Sequence, residues 1–321
     1  MVEKQQAKRG RIEVLDLTRG VALVAMAIYH FTWDLEFFGY VASGTANSGA
    51  WRLFARGIAS SFLLIVGMSL VLANMRGLHW PGFLKRLAQI VAAALTITVV
   101  TYIIMPNSFV FFGILHQIAI ASLIGLFFLR LPFGITLISG LVVIALPNLF
   151  STDLMNPRYL AWIGFAAREP FSNDIVPVFP WTGIVLLGIA AGQWLGKTGG
   201  WLRLKALNPA ILSTGAFSPL RWIGRHSLAF YLLHQPVSLA LIGTYAAVFP
   251  PDRTQEFVSE CQTVCGNQGQ DAQICQQYCG CVAGEIAGTN LLEAYLANSI
   301  SGEKLQLFEE KILTCSAKTI P

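Results

Sequence analysis

At 321 residues, 55% hydrophobic and only 12% charged, the chain has too few charged groups to cover a water-soluble globule, in which about a quarter of residues carry charge. The net charge of +5 is unevenly spread: residues 1–249 hold 18 Lys and Arg against 8 Asp and Glu, and residues 250–321 hold 4 against 9. With no aromatic–basic interleaving and no Walker-type Gly-rich loop, the basic half reads as membrane orientation and excludes a nucleic-acid partner.

The N-terminus carries Lys4, Lys8, Arg9 and Arg11 ahead of an apolar run, as a signal peptide would, but that run contains His30 and Asp34 and no small-residue cleavage site, so it reads as a retained first span. Apolar stretches then recur, long enough to cross about 30 Å of hydrocarbon. The predicted spans are Gly20 to Phe38, Ala59 to Ala73, Leu87 to Ile104, Phe109 to Phe128, Pro132 to Leu149, Val178 to Leu195 and Ser227 to Phe249. The fold class is thus an all-α polytopic membrane protein of about seven transmembrane helices, followed by a small α-helical, disulfide-rich tail. The boundary falls between residues 1–249 and 250–321.

With a cytoplasmic N-terminus, the inside segments collect 14 basic residues, among them Arg76, Lys85, Arg86, Arg130 and Arg203, against Arg52, Arg56, Arg158 and Arg168 outside. The positive-inside rule therefore selects N-in, and seven crossings put the tail outside. All six cysteines lie in that tail, which suits an oxidising compartment. Cys261 and Cys265 are spaced i, i+4, as are Cys275 and Cys279, so two facing helices would pair Cys261 with Cys279 and Cys265 with Cys275. A zinc knuckle is the rival reading, but the tail holds no His for a mixed site. Leu291 to Leu313 reads as one amphipathic helix, with Cys281 and Cys315 available for a third bridge and a role in structure, partner binding or oligomerisation.

Ionisable groups within the bilayer are costly and mark functional positions. His30 lies eleven residues beyond Arg19, about 16 Å along a helix and near the bilayer centre. Asp34 is one turn further on the same face, an arrangement that suits a base with its orienting carboxylate. A buried pair that only fixes packing has the same spacing. His116 and His234 reach similar depths and stand equally well as packing histidines bonded to carbonyls. Asp16 and Arg19, one turn apart, form either a helix-start ion pair or an anion site. Before the sixth span, Arg158, Arg168, Glu169 and Asp174 accompany Tyr159, Trp162, Phe165, Phe179 and Trp181, which suits a sugar and equally an interfacial aromatic belt.

The segment IEVLDLTRGVALVAMAIYHFTWDLEFF (residues 12–38) resembles the first-span signature of membrane acyltransferases, an Asp-x-x-Arg-Gly start followed by an apolar helix bearing a His. FLLIVGMSL (62–70) and FGILHQI (112–118) resemble the bacterial branch related to heparan-alpha-glucosaminide N-acetyltransferase. NDIVPVFPW (173–181) is similar to its loop ending Pro-Trp, and IGRHSLAFYLLHQPV (223–237) to the final-span motif. The resemblance implies an acyl group, most plainly acetyl from cytoplasmic acetyl-CoA, delivered to an amine or hydroxyl of a glycan or glycolipid outside a bacterial inner membrane, with no metal. It further implies His30 as catalytic residue with Asp34, and His116, Asp174, His234 and Trp181 as substrate-pocket groups. Asp16, Arg19 and Arg225 would then serve the CoA phosphates. The lysosomal relative carries a catalytic His in the loop after the first span, whereas Gly39 to Gly57 here has none, so that role passes to His30. A proton- or ion-coupled transporter, or a non-catalytic anchor for the tail, are the competing classes.

Overall fold

A computed structural model describes residues 12–42, 44–75, 77–206, 215–296 and 299–319. Lys4, Lys8, Arg9, Arg11 and Arg76 lie outside the described residues. Among those described, each predicted span is helical over most of its length and there is no strand, only isolated bridges at Phe112–Ile175 and Thr152–Ala166.

The apolar helices are α1 (Glu13–Phe37), α2 (Gly49–Asn74), α3 (Trp80–Ile104), α4 (Ile114–Phe128), α5 (Phe133–Leu149), α7 (Val178–Lys197) and α10 (Ser227–Val248). Short helices α6 (Arg158–Ala161), α8 (Gly200–Ala206) and α9 (Ser218–Arg225) join them. Five of the seven, α1, α2, α3, α7 and α10, are long and apolar enough to cross a membrane, whereas α4 and α5 span 15 and 17 residues. The chain is a polytopic membrane protein of the class its composition predicts. Leu233, Val237, Leu241, Tyr245 and Val248 of α10 are exposed, as lipid-facing side chains are when every backbone group is satisfied within the helix.

The ends of these helices differ from the predicted spans for local reasons. Helix α1 starts at Glu13 rather than Gly20, with Glu13 and Asp16 in its first turn, where carboxylates complement the exposed N–H groups. Helix α3 starts at Trp80, with Pro81 in the first turn and His79 Nδ1 accepting the Gly82 N–H at 3.1 Å. Helix α4 loses residues 109–113, which are apolar but not helical: the Val176 N–H donates to the Phe112 carbonyl at 3.0 Å, and the helix begins only after Gly113.

Cα proximity divides the chain into two units, residues 1–28 with 53–234 and residues 29–52 with 235–321. In the first, Leu63, Ala121, Val185, Leu186 and Ile189 form a fully buried core from α2, α4 and α7. In the second, the tail folds as α11 (Thr254–Asn267), α12 (Ala272–Ile286), α13 (Asn290–Leu296) and α14 (Glu303–Thr319) around Phe257, Val282, Ile286, Leu292 and Phe308. Disulfides join Cys261 to Cys279, Cys265 to Cys275 and Cys281 to Cys315. The single amphipathic helix predicted over Leu291 to Leu313 is instead two, α13 and α14. Gly302, with φ of +57°, sits just before α14 in a backbone conformation that L side chains rarely adopt.

Candidate functional site

The first-span signature and the final-span motif meet within the first unit. Gly20 lies against the Leu220 carbonyl and Gly224 against the Asp16 carbonyl, so closely that a Cβ on either glycine would collide with backbone. This contact lets charges on α1 and α9 pair. Asp16, 1% exposed, accepts from Arg19 at 3.0 Å and lies 3.6 Å from Arg225. Glu13 accepts from Arg221 at 2.7 Å and lies 3.4 Å from Arg225. Arg19 also donates to Ser69 of α2 at 2.5 Å. Three guanidinium groups thus share two carboxylates, and the cluster keeps a net positive charge.

Ser69 also lines a cavity of about 280 Å³ among α2, α3 and α4. Asn74, His79, Arg86 and Ser122 supply its polar wall, and Leu70, Phe83, Leu87 and Ile90 its apolar one. Arg86 pairs with no carboxylate among the described residues. The cavity therefore combines an apolar trough with a cation that has no carboxylate partner among the described residues, and Arg19 stands behind its wall through Ser69. From sequence Arg86 reads, with Arg19, Arg221 and Arg225, as part of the basic cytoplasmic mouth that a transferase needs.

At the other end of α4, His116 is engaged at both ring nitrogens. Nδ1 accepts the Gly113 N–H at 3.2 Å, so the proton sits on Nε2 and points to Thr98 Oγ1 at 3.3 Å, and that hydroxyl donates to the Val110 carbonyl. Asp174 Oδ2 accepts the Ile114 N–H at 3.1 Å. Burial pushes the Asp174 carboxyl up to about 6, the Ile114 bond opposing the shift. Trp181 packs against the core of the first unit, and the Trp162 indole donates to the Tyr159 carbonyl. His234 Nδ1 donates to the Tyr231 carbonyl at 2.8 Å, and its ring stacks on Phe230. His116 and Asp174 organise the α4 start and the loop before α7, whereas these contacts of His234 lie within α10.

His30 and Asp34 belong to the second unit. His30 is half-buried, its ring edge-on to Tyr29 with centroids 5.5 Å apart. Asp34 is fully buried, and its Oδ1 accepts from Gln235 Nε2 at 2.5 Å. Ser238, one turn beyond Gln235, stands beside the same carboxylate. Neither Gln235 nor Ser238 is singled out by sequence reasoning, although Gln235 directly follows His234 in the final-span motif. No group of three or more His, Cys, Asp or Glu that would hold a metal ion occurs among the described residues.

The sequence signature of the family described as "Heparan-alpha-glucosaminide N-acetyltransferase, catalytic" matches residues 11–236, from the start of α1 to the middle of α10. No curated protein and no solved structure matches the chain. The matched stretch contains the paired glycines, the guanidinium cluster, the cavity, His30, Asp34 and Gln235, and it ends before the cysteine-rich tail. A match over more than two thirds of the chain, carried by a helical membrane protein, makes this chain a member of the heparan-alpha-glucosaminide N-acetyltransferase catalytic family, an acyltransferase family of membrane proteins.

Proposed function

We propose that the protein transfers an acetyl group from cytoplasmic acetyl-CoA to an amino or hydroxyl group of an extracytoplasmic glycan, with His30 as the catalytic residue. The observation that carries this reading is the fully buried Asp34 carboxylate, held by Gln235 one helical turn from a half-buried His30 inside the family-matched region. An ionisable pair at that depth is costly and marks function. His30 takes the proton from the acceptor as its nitrogen or oxygen attacks the thioester carbonyl. The new C–N or C–O bond forms, the C–S bond breaks, and the departing thiolate is protonated to free CoA. Asp34 favours the imidazolium formed on the way.

The apolar cavity with Arg86, which pairs with no carboxylate among the described residues, suits the donor side, where an arginine fork matches a phosphate group. Arg19, Arg225 and Asp16 contribute through their net positive cluster rather than as free cations. Asp174, His116, His234 and Trp181, all in the first unit, are read as substrate-binding groups that do no chemistry. Orientation follows the basic residues: α1 starts in the cytoplasm and the disulfide-bearing tail, residues 250–321, is its own domain in the periplasm of a bacterial inner membrane.

The test is turnover of radiolabelled acetyl-CoA with glucosamine by purified protein in liposomes, comparing wild type with His30→Ala. Label transfer that disappears in a well-folded variant supports the reading; retained transfer overturns the role of His30.

A further inference from the structure

Polar atoms buried without a partner cost about 1–3 kcal/mol each in a protein, and an apolar helical segment in lipid offers no water to relieve them. In the second unit Asp34 Oδ2, Gln235 Oε1 and Ser238 Oγ are buried together; the Ser238 hydroxyl lies within reach of the Asp34 carboxylate, and Gln235 Oε1 is left without a donor. The Gln235 amide nitrogen is already committed to Asp34 Oδ1, which turns the amide oxygen away from that bond. Ser238 lies one turn further along α10, beside the same carboxylate.

The inventory of donors and acceptors is unbalanced. An ionised Asp34 Oδ2 and Gln235 Oε1 only accept; the second Gln235 N–H cannot reach the oxygen of its own amide, so Ser238 brings the one proton open to both acceptors. When that hydroxyl turns to Asp34, Gln235 Oε1 still has no donor, and when it turns to Gln235, Asp34 Oδ2 has none. The cluster is short of at least one N–H or O–H next to a carboxylate. The matching ligand is a small group with several such hydrogens, namely a sugar amine or hydroxyl.

We infer that Asp34, Gln235 and Ser238 form the subsite for the amino or hydroxyl group of the acyl acceptor, with Asp34 Oδ2 and Gln235 Oε1 accepting hydrogen bonds from it. This rests on the acyltransferase reading and assigns to that site a contact set that no motif names. Ser238, at position 238, lies outside the family match. Gln235 has two duties: its amide nitrogen fixes the carboxylate and its amide oxygen meets the ligand.

The experiment uses the full chain in nanodiscs, with glucosamine as probe, and glucose and N-acetylglucosamine as analogues that replace or block the amine. Binding is read by saturation-transfer NMR without any acyl donor, and retained binding of radiolabelled acetyl-CoA reports the state of the fold. Ser238→Ala, which removes a single oxygen, and Gln235→Leu are each expected to weaken glucosamine binding at least tenfold while acetyl-CoA binding stays within twofold. In turnover, both variants should raise the acceptor KM without raising that for acetyl-CoA. Glucosamine binding stronger than that of glucose identifies the amine as the group held, and the reverse order identifies the hydroxyl. Unchanged sugar binding in Ser238→Ala, or a wild type that binds none of the three sugars, overturns the subsite. Turnover that continues in both variants with an unaltered acceptor KM overturns the subsite and leaves the acyltransferase reading standing. Loss of sugar binding in the variants of a protein that never takes up acetyl-CoA does the opposite; the fold is then checked by thermal melting.

Discussion

Gly224 of α9 rests against the main-chain carbonyl of Asp16 on α1, and Gly20 returns the contact against Leu220. The two glycines bring α9 close enough for Glu13 to reach Arg221 across 208 residues of sequence. A methyl group at either position meets backbone, which cannot swing aside. Gly20→Ala and Gly224→Ala are each expected to cost about 1–3 kcal/mol, the range for overpacking a close contact. The check is the apparent melting temperature in detergent, with Gly134→Ala as control, since nothing lies within 4 Å of a Cβ there. A control that loses as much as the two variants contradicts this account.

His30→Ala should abolish acetyl transfer with little change in melting temperature, because the ring is half-buried and packs edge-on to Tyr29. Asp34→Asn keeps the size of the side chain but not its charge, and should slow transfer by roughly 100-fold, the scale of one lost acid–base contribution. Steady-state kinetics with radiolabelled acetyl-CoA measures both.

Asp174 sets a pH dependence of stability. Its carboxyl is pushed up to about 6 by burial, so between its ordinary value of 3.8 and that value the folded chain holds a proton that the unfolded chain has released. The contribution to stability is full below the ordinary value and is lost as pH rises through about 6. Asp174→Asn retains an oxygen for the Ile114 N–H and should flatten the melting profile over this window. A profile as steep as that of wild type would assign the slope to another group.

The tail behaves in the opposite sense. Glu285 accepts from Lys311 at 3.2 Å, and this bond, followed by the charges of Lys311 and Lys318, holds its carboxyl below the ordinary value. Stability from this group is present above pH 4.5 and fades as pH falls through the lowered value. Lys311→Met should reduce that acid sensitivity in the amide exchange of α12 and α14 and raise exchange near neutral pH by the same small factor, since the stability that wild type loses in acid is already gone in the variant.

Membrane-impermeant thiol reagents supply the topological test. After reduction, Cys261 to Cys315 should be labelled in intact spheroplasts. Labelling that needs the membrane to be opened would reverse the orientation drawn from the basic residues.

Hydrophobic runs made the helices of the membrane part legible, because a span depends on composition over about 20 residues and little else. The failures share a cause. Residues 109–113 are as apolar as a helix start, but Ile114 finds its acceptor in Asp174, 60 residues away, and no local pattern carries that. Leu291 to Leu313 has amphipathic spacing, and only Gly302 hints at the break. The disulfides were legible because i, i+4 spacing fixes which faces meet. The site was half legible: His30 and Asp34 stand out as ionisable groups in an apolar helix, whereas Gln235, 201 residues from Asp34, is neutral and ordinary until the fold sets it against a carboxylate. His116 read from sequence equally well as a pocket group or a packing histidine, and only three-dimensional contacts reveal both its nitrogens occupied.

The nested bridges bear on how the molecule is made. A chain synthesised from its N-terminus exposes Cys261 and Cys265 first, and neither takes the other as its partner. Cys265 must wait for Cys275 and Cys261 for Cys279, while Cys281 stays reduced until 34 further residues deliver Cys315. An oxidase that joins cysteines in order of emergence produces the wrong set. Correct maturation of this chain is therefore a matter of delayed or corrected oxidation, and its yield in a host will follow the supply of a thiol isomerase more closely than that of an oxidant.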